Sequence, residues 1–117
     1  MKETQLKERT KKFAKQIISL CRQLPNNREG RLIGNQLFRS GTSVAANYRG
    51  ACRGRSKAEF ISKLAIVEEE ADETRFWLEI IKEMQISRIT LIDFLLNESD
   101  EIISMVVSSI KTVRKKL

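Results

Sequence analysis

Apolar residues recur at α-helical spacing in four long segments of this sequence, and the few helix-breaking residues lie between them. The clearest stripe runs from Ile92 to Val113, with the 3.6-residue period of an amphipathic helix. The only proline, Pro25, stops the first segment, and Gly50 and Gly54 weaken the end of the second. No run elsewhere alternates apolar and polar residues over the length of a strand. The pattern therefore predicts an all-α fold.

We predict helices over about Glu3–Leu24, Glu29–Ala51, Ser56–Glu83 and Thr90–Arg114. Ser56 with Glu59, and Thr90 with Asp93, have the spacing of capping boxes, in which a hydroxyl and a carboxylate satisfy the first free amides of a helix. Short loops between long helices imply an antiparallel up-down four-helix bundle. A chain of 117 residues is long enough for one core, so residues 1–117 are predicted to form a single domain.

The second predicted helix sorts into three faces at about 100° per residue. Its core face holds Ile33, Leu37, Val44 and Tyr48. Beside that face lies a polar seam that consists of Gln36, Ser40, Ser43 and Asn47. We interpret the seam as a place of close helix packing, where each side chain bonds to a facing group, with a ligand site as the alternative.

The remaining side of this helix is rich in arginine. Residues 26–57 carry seven basic and one acidic side chain, within a chain of net charge +7. The planar fork of arginine suits phosphate. We therefore predict a nucleic-acid surface formed by Arg28, Arg31, Arg39, Arg49, Arg53 and Arg55. The alternative is an ordinary solvated face. Because no base-reading module is present, recognition would be of backbone or shape.

The third predicted helix has apolar residues on a second face, outside its core stripe. Four apolar residues, Ile66, Phe76, Trp77 and Ile80, surround the acidic Glu73 on this face. We predict that this face forms a subunit interface, because tryptophan is enriched at interface centres. A wide core stripe is the alternative. Residues 58–83 carry eight acidic and three basic side chains, and this acidic patch suits a basic neighbour, such as another copy of the chain.

Several classes of chemistry are disfavoured. The chain has no histidine, which removes imidazole bases, imidazole metal ligands and histidine-activated nucleophiles. Cys21 and Cys52 lack metal-ligand spacing, and the carboxylates of 68–73 have no facing counterpart, so we predict no metal, cofactor or catalytic residue. No small-molecule substrate is expected. The absence of a long apolar run or an apolar N-terminal signal core favours a cytoplasmic protein without membrane contact.

Several motifs then point to a family. An N-terminal segment ends in Leu-Pro, a central run reads Gln-Leu-x-Arg-Ser-x-x-Ser-x-x-Ala-Asn, and later elements read Ser-x-x-x-Phe and Glu-x-x-x-Trp-Leu. The positions that match are Phe13, Ala14, Leu24, Pro25, Gln36, Leu37, Arg39, Ser40, Ser43, Ala46, Asn47, Ser56, Phe60, Glu73, Trp77 and Leu78. By these motifs the chain resembles the small bacterial proteins called 23S rRNA intervening-sequence proteins.

The resemblance implies an up-down bundle that assembles as a ring-like homopentamer. It also implies likeness to the accessory variability proteins of diversity-generating retroelements, which share the bundle and a basic surface. Two hypotheses follow: a non-enzymatic protein that binds RNA or DNA through its arginines, or a protein–protein scaffold or accessory subunit whose charge serves assembly. A metalloenzyme is a third and weaker hypothesis.

Overall fold

Four α-helices joined by short loops make up the structure, a computed structural model that describes residues 3–116. The helices are α1 (Glu3–Arg22), α2 (Arg28–Cys52), α3 (Lys57–Glu83) and α4 (Leu91–Lys115). Each helix contacts two neighbours: α2 lies between α1 and α3, and α4 lies between α3 and α1. The molecule measures 48 × 20 × 19 Å. The predicted all-α, antiparallel up-down bundle is confirmed.

The start of α2 follows from a local side-chain cap. Asn27 precedes α2 with an extended backbone, and its side-chain oxygen accepts a hydrogen bond from the Gly30 amide at 2.8 Å. A Cβ atom at Gly30 would lie 1.9 Å from the Pro25 carbonyl oxygen, so the turn leaves no space for a side chain there. Contacts among Pro25, Asn27 and Gly30 therefore fix the turn between α1 and α2.

Of the two hydrogen bonds in the capping box predicted at the start of α3, one is present. Ser56 Oγ accepts a hydrogen bond from the Glu59 amide at 3.1 Å, as expected. The Glu59 carboxylate accepts from the amide of Arg55 at 3.2 Å, one residue before the capping position. The serine half of the box is thus confirmed, and the glutamate reaches further back than predicted.

The capping box predicted at the start of α4 is wrong. Thr90 has helical backbone angles (φ −58°, ψ −28°), and its side chain makes no capping hydrogen bond. A capping side chain reaches the amides of the first turn from an extended backbone, as in Asn27 and Ser56. Asp93 instead accepts a hydrogen bond from Lys82 Nζ at 2.6 Å, which links α4 to the end of α3.

The core runs along the middle of the bundle and uses the predicted apolar stripes. Its largest fully buried side chains are Phe13, Ile17, Leu20, Leu37, Val44, Leu64, Val67, Leu78, Ile81, Leu95, Ile102 and Val106. Helices α1 and α2 approach closely because Gly41 has no side chain. A Cβ atom there would lie 2.7 Å from Cγ2 of Ile17. None of the helices over residues 3–116 is long and apolar enough to cross a membrane.

Ion pairs join neighbouring helices of the bundle. The contact between α1 and α4 is the smallest of the four. There, Arg9 donates two hydrogen bonds of 2.8 Å to the Glu98 carboxylate, and these bonds are the largest cause of the raised pKa of Arg9. Between α3 and α4, Arg75 Nε donates to Asp100 at 2.6 Å.

The end of α3 generates a stability prediction. Gln85 has φ +53°, and the Ile86 amide bonds to the Ile81 carbonyl in the manner of a Schellman motif. A left-handed backbone is unfavourable for residues with a Cβ atom, so Gln85→Gly should raise the free energy of unfolding by about 0.5–1 kcal/mol. Urea denaturation at fixed protein concentration measures this. Gln85→Ala keeps the Cβ atom and should give no gain; equal gains from both variants would contradict the explanation.

Candidate nucleic-acid interface

The structure divides the predicted arginines among three places along α2 and the loop after it. Arg28 and Arg31 lie near the α1–α2 turn, whereas Arg49, Arg53 and Arg55 lie toward the start of α3. A rise of 1.5 Å per residue separates Arg31 from Arg49 by about 27 Å. The predicted arginines therefore lie in one group toward each end of α2, with Arg39 between them.

Arg39 is engaged inside the chain. Its guanidinium group donates to the Glu70 carboxylate at 2.9 Å and also pairs with Glu73 of α3. The Trp77 indole N–H donates to the same Glu73 carboxylate at 3.1 Å. The Arg39 hydrogen bond, with a smaller contribution from Trp77, lowers the pKa of Glu73. Arg39 thus differs from the other predicted arginines, because its charge is already balanced.

The other cations of this region gather where α2 ends, α3 begins and α4 ends. We call this region the basic end; it consists of Arg49, Arg53, Arg55, Lys57, Arg114, Lys115 and Lys116, all exposed. Lys57 Nζ donates to the Lys116 carbonyl at 3.4 Å, which places the first turn of α3 against the last turn of α4. Within residues 3–116, none of their guanidinium or ammonium groups lies within 4 Å of a carboxylate, although the Glu59 carboxylate binds the backbone amide of Arg55.

A groove between α1 and α2 extends the basic end. It has a volume of about 430 Å³, and three cations, Lys7, Lys11 and Arg49, line it together with one acid, Glu8. Ala45 and Ala46 also line this groove, and their small side chains leave it open. The α1 lysines were not among the predicted site residues. A signal for them exists, since residues 1–25 carry seven basic and two acidic side chains, but only the packing of α1 on α2 brings them beside Arg49.

The polar seam separates into three environments. Ser40 is fully buried, and its hydroxyl is hydrogen-bonded to the Thr74 hydroxyl of α3 with the oxygens 2.9 Å apart. Asn47 bonds within α2, donating to the Ser43 carbonyl at 2.9 Å and to its hydroxyl at 2.7 Å. Gln36 is exposed. The packing interpretation therefore describes Ser40, whereas Asn47 and Ser43 bond to each other within α2 and Gln36 is exposed.

The apolar face of α3 is on the surface, as the predicted interface requires. Phe76 is 50% exposed and Ile66 37% exposed, while Trp77 and Ile80 are half-buried. The rings of Phe76 and Trp77 stand 5.0 Å apart, edge to face. Leu32 of α2 is 56% exposed and lies two helical turns before Arg39, on the edge that faces α3.

The cysteines and the acidic residues form no site for a metal. Cys21 and Cys52 are free thiols; burial raises the pKa of Cys21 to about 11, and burial also raises that of Cys52. Over residues 3–116, no three cysteine, aspartate or glutamate residues group in a way that could hold an ion. Among the carboxylates of residues 68–73, Glu70 and Glu73 pair with Arg39.

Comparison with known proteins places this bundle in a family. The family model described as 23S rRNA-intervening sequence protein matches residues 2–108. The chain belongs to this family. The predicted resemblance is thus confirmed by a match over nearly the whole sequence.

A solved structure is similar to this family member over almost its whole length. It is the crystal structure of a protein of the S23 ribosomal protein family from Bacteroides thetaiotaomicron VPI-5482, described as having unknown function. The two chains are 36% identical with a TM-score of 0.87, and the match covers 95% of this chain and 99% of the other. No protein with a curated description matches the chain.

The buried hydroxyl pair between α2 and α3 generates a second stability prediction. Thr74→Val leaves the Ser40 hydroxyl with only the Leu37 carbonyl at 3.4 Å, so it should cost about 1–3 kcal/mol of unfolding free energy. Ser40→Ala should cost less, because the Thr74 hydroxyl keeps the Glu70 carbonyl at 2.8 Å. Urea denaturation of both single variants and the double variant measures the coupling. Strictly additive losses would contradict a direct bond.

Proposed function

We propose that this chain is a non-enzymatic, self-associating bundle that binds the backbone phosphates of a nucleic acid. We take this nucleic acid to be RNA. The observation that supports this binding is the basic end, where cations from α2, α3 and α4 lie exposed with no carboxylate within 4 Å of their charged groups in the described part of the chain. Its free thiols suit the reducing cytoplasm, where we place the protein.

The form of the basic end favours backbone recognition over reading of base sequence. Arg49, Arg53 and Arg55 offer forked donors that fit phosphate oxygens, and Lys57 adds a point charge beside them. Lys7 and Lys11 continue the positive surface along the α1–α2 groove. Contacts of this kind position a strand and depend strongly on salt, because each one releases counterions.

Self-association is the second part of the proposal. The exposed Phe76 and Ile66 form an apolar surface with Trp77, beside the exposed acids Glu69 and Asp72. An acidic and apolar face of this kind suits a basic face of another copy. By resemblance to its family we propose a ring of five copies, which would repeat the basic end around the assembly.

A scaffold or accessory subunit without a nucleic-acid role is the other candidate. The observation that favours it is Arg39, whose guanidinium group pairs with two carboxylates of α3. If the remaining arginines were used in the same way by a protein partner, the basic end would dock acidic protein surfaces. The two functions differ in whether polynucleotide is retained at low salt.

Charge reversal at the basic end tests the nucleic-acid proposal. Arg53→Glu/Arg55→Glu should weaken binding of a single-stranded RNA oligonucleotide at least about tenfold near 0.1 M salt. The slope of log affinity against log salt should fall by about 1.4, since each lost phosphate contact on a single strand contributes about 0.7. A fluorescence-anisotropy titration at several salt concentrations measures both quantities.

The matched control is Arg28→Glu/Arg31→Glu, which makes the same change of charge at the opposite end of α2. It should retain most of the affinity. Equal losses in the two variants would mean that total charge, and not the basic end, determines binding. No retention of RNA by the unmodified protein at low salt would overturn the nucleic-acid function and favour the scaffold.

The interface proposal has its own matched pair of variants. Phe76→Asp places a charge in the apolar face of α3 and should lower the mass of the assembly in light scattering. Phe94→Asp is the control, because Phe94 of α4 is 48% exposed, almost as much as Phe76 at 50%, and lies outside the predicted interface. An unchanged mass for Phe76→Asp, or equal dissociation of both variants, would place the subunit contact elsewhere.

A further inference from the structure

A second groove opens at the basic end, on the side of the bundle between α1 and α4. It has a volume of about 660 Å³, and all four helices contribute to it. Its apolar walls include the half-buried Phe60, Met105 and Val113, Tyr48 lies beneath them at 3% exposure, and the exposed Glu3 and Lys116 also line it. The Lys57 ammonium group donates to the Lys116 carbonyl at 3.4 Å, so the groove lies next to the cations of the basic end.

Hydroxyl groups give this groove a polar edge. Ser104, Ser108 and Thr112 line the groove one helical turn apart on α4. The Thr112 hydroxyl donates to the Ser108 carbonyl at 3.0 Å and still has lone pairs that accept. Ser104 and Ser108 are exposed, and within residues 3–116 their hydroxyls have no hydrogen-bond partner. They are available to donate to, and accept from, a bound group.

We propose that this groove accepts an unpaired base of the bound RNA, while the phosphates on either side of that base contact the basic end. This proposal rests on the nucleic-acid function proposed above and names its substrate: RNA with a single-stranded or bulged nucleotide. The partly exposed ring of Phe60 and the aliphatic walls contact the faces of a base, and serine hydroxyls bond to its edges. The neighbouring cations supply the charge complementarity that such a strand requires.

A paired base does not fit this description. Inside a duplex its faces are stacked and its Watson–Crick edge is occupied, so neither the walls of the groove nor the hydroxyls of Ser104 and Ser108 reach it. The phosphate contacts of the basic end do not distinguish paired from unpaired nucleotides. The groove adds a preference for unpaired ones. The preference is for shape and pairing state, and it requires no module that reads base sequence.

Two RNA hairpins with one stem sequence test the proposal. One hairpin is fully paired, and the other carries a single unpaired 2-aminopurine as a bulge in the stem. The protein should bind the bulged hairpin about tenfold more tightly than the paired one, as expected for one stacked base. The fluorescence of 2-aminopurine should change on binding, because the base leaves solvent for the groove.

Ser108→Leu, at an exposed position, fills the groove and removes a hydroxyl, so the bulged hairpin should bind no more tightly than the paired one. Ser19→Leu is the matched control at an exposed serine of α1 outside the groove, and it should keep the preference. Circular dichroism checks that both variants fold. Equal affinity of the unmodified protein for the two hairpins, or a preference that Ser108→Leu leaves intact, overturns the base site alone. Failure to bind either hairpin overturns the nucleic-acid function as well.

Discussion

The packing of α2 against α3 is the constraint on which the rest of the molecule depends. Buried Ser40 and Thr74 bond to each other across this contact, and at its edge Arg39 joins the carboxylates of Glu70 and Glu73. A buried hydroxyl without a partner is costly, so the two helices are held in one register. That register decides which charges are balanced within the chain and which remain exposed.

The distribution of charge follows from this register. Of the predicted arginines, Arg39 is neutralised by α3, and the others lie in two groups toward the ends of α2. At one of those ends the last turn of α4 adds Arg114, Lys115 and Lys116. Charge that is spread along the sequence thus becomes a concentrated basic end next to two grooves. The proposed contacts with phosphate and with an unpaired base both depend on this concentration.

Much of the fold could be predicted, because its causes are local. Apolar periodicity predicted the helices to within a few residues, and Asn27 and Ser56 cap them through short-range hydrogen bonds. Prediction was wrong at Thr90, whose helical backbone keeps its hydroxyl from the first amides of α4. Asp93 bonds instead to Lys82, a residue of the preceding helix, and the short-range motif contains no information about that partner.

The sequence by itself determined that four helices form, which faces turn inward, and that the chain is basic, because propensity, period and composition are properties of neighbouring residues. Only the tertiary structure decided that Arg39 is paired, that Lys7 and Lys11 lie beside Arg49, and that residues of all four helices line one groove at the basic end. These features depend on the offset between helices, which is set by side chains far apart in the sequence.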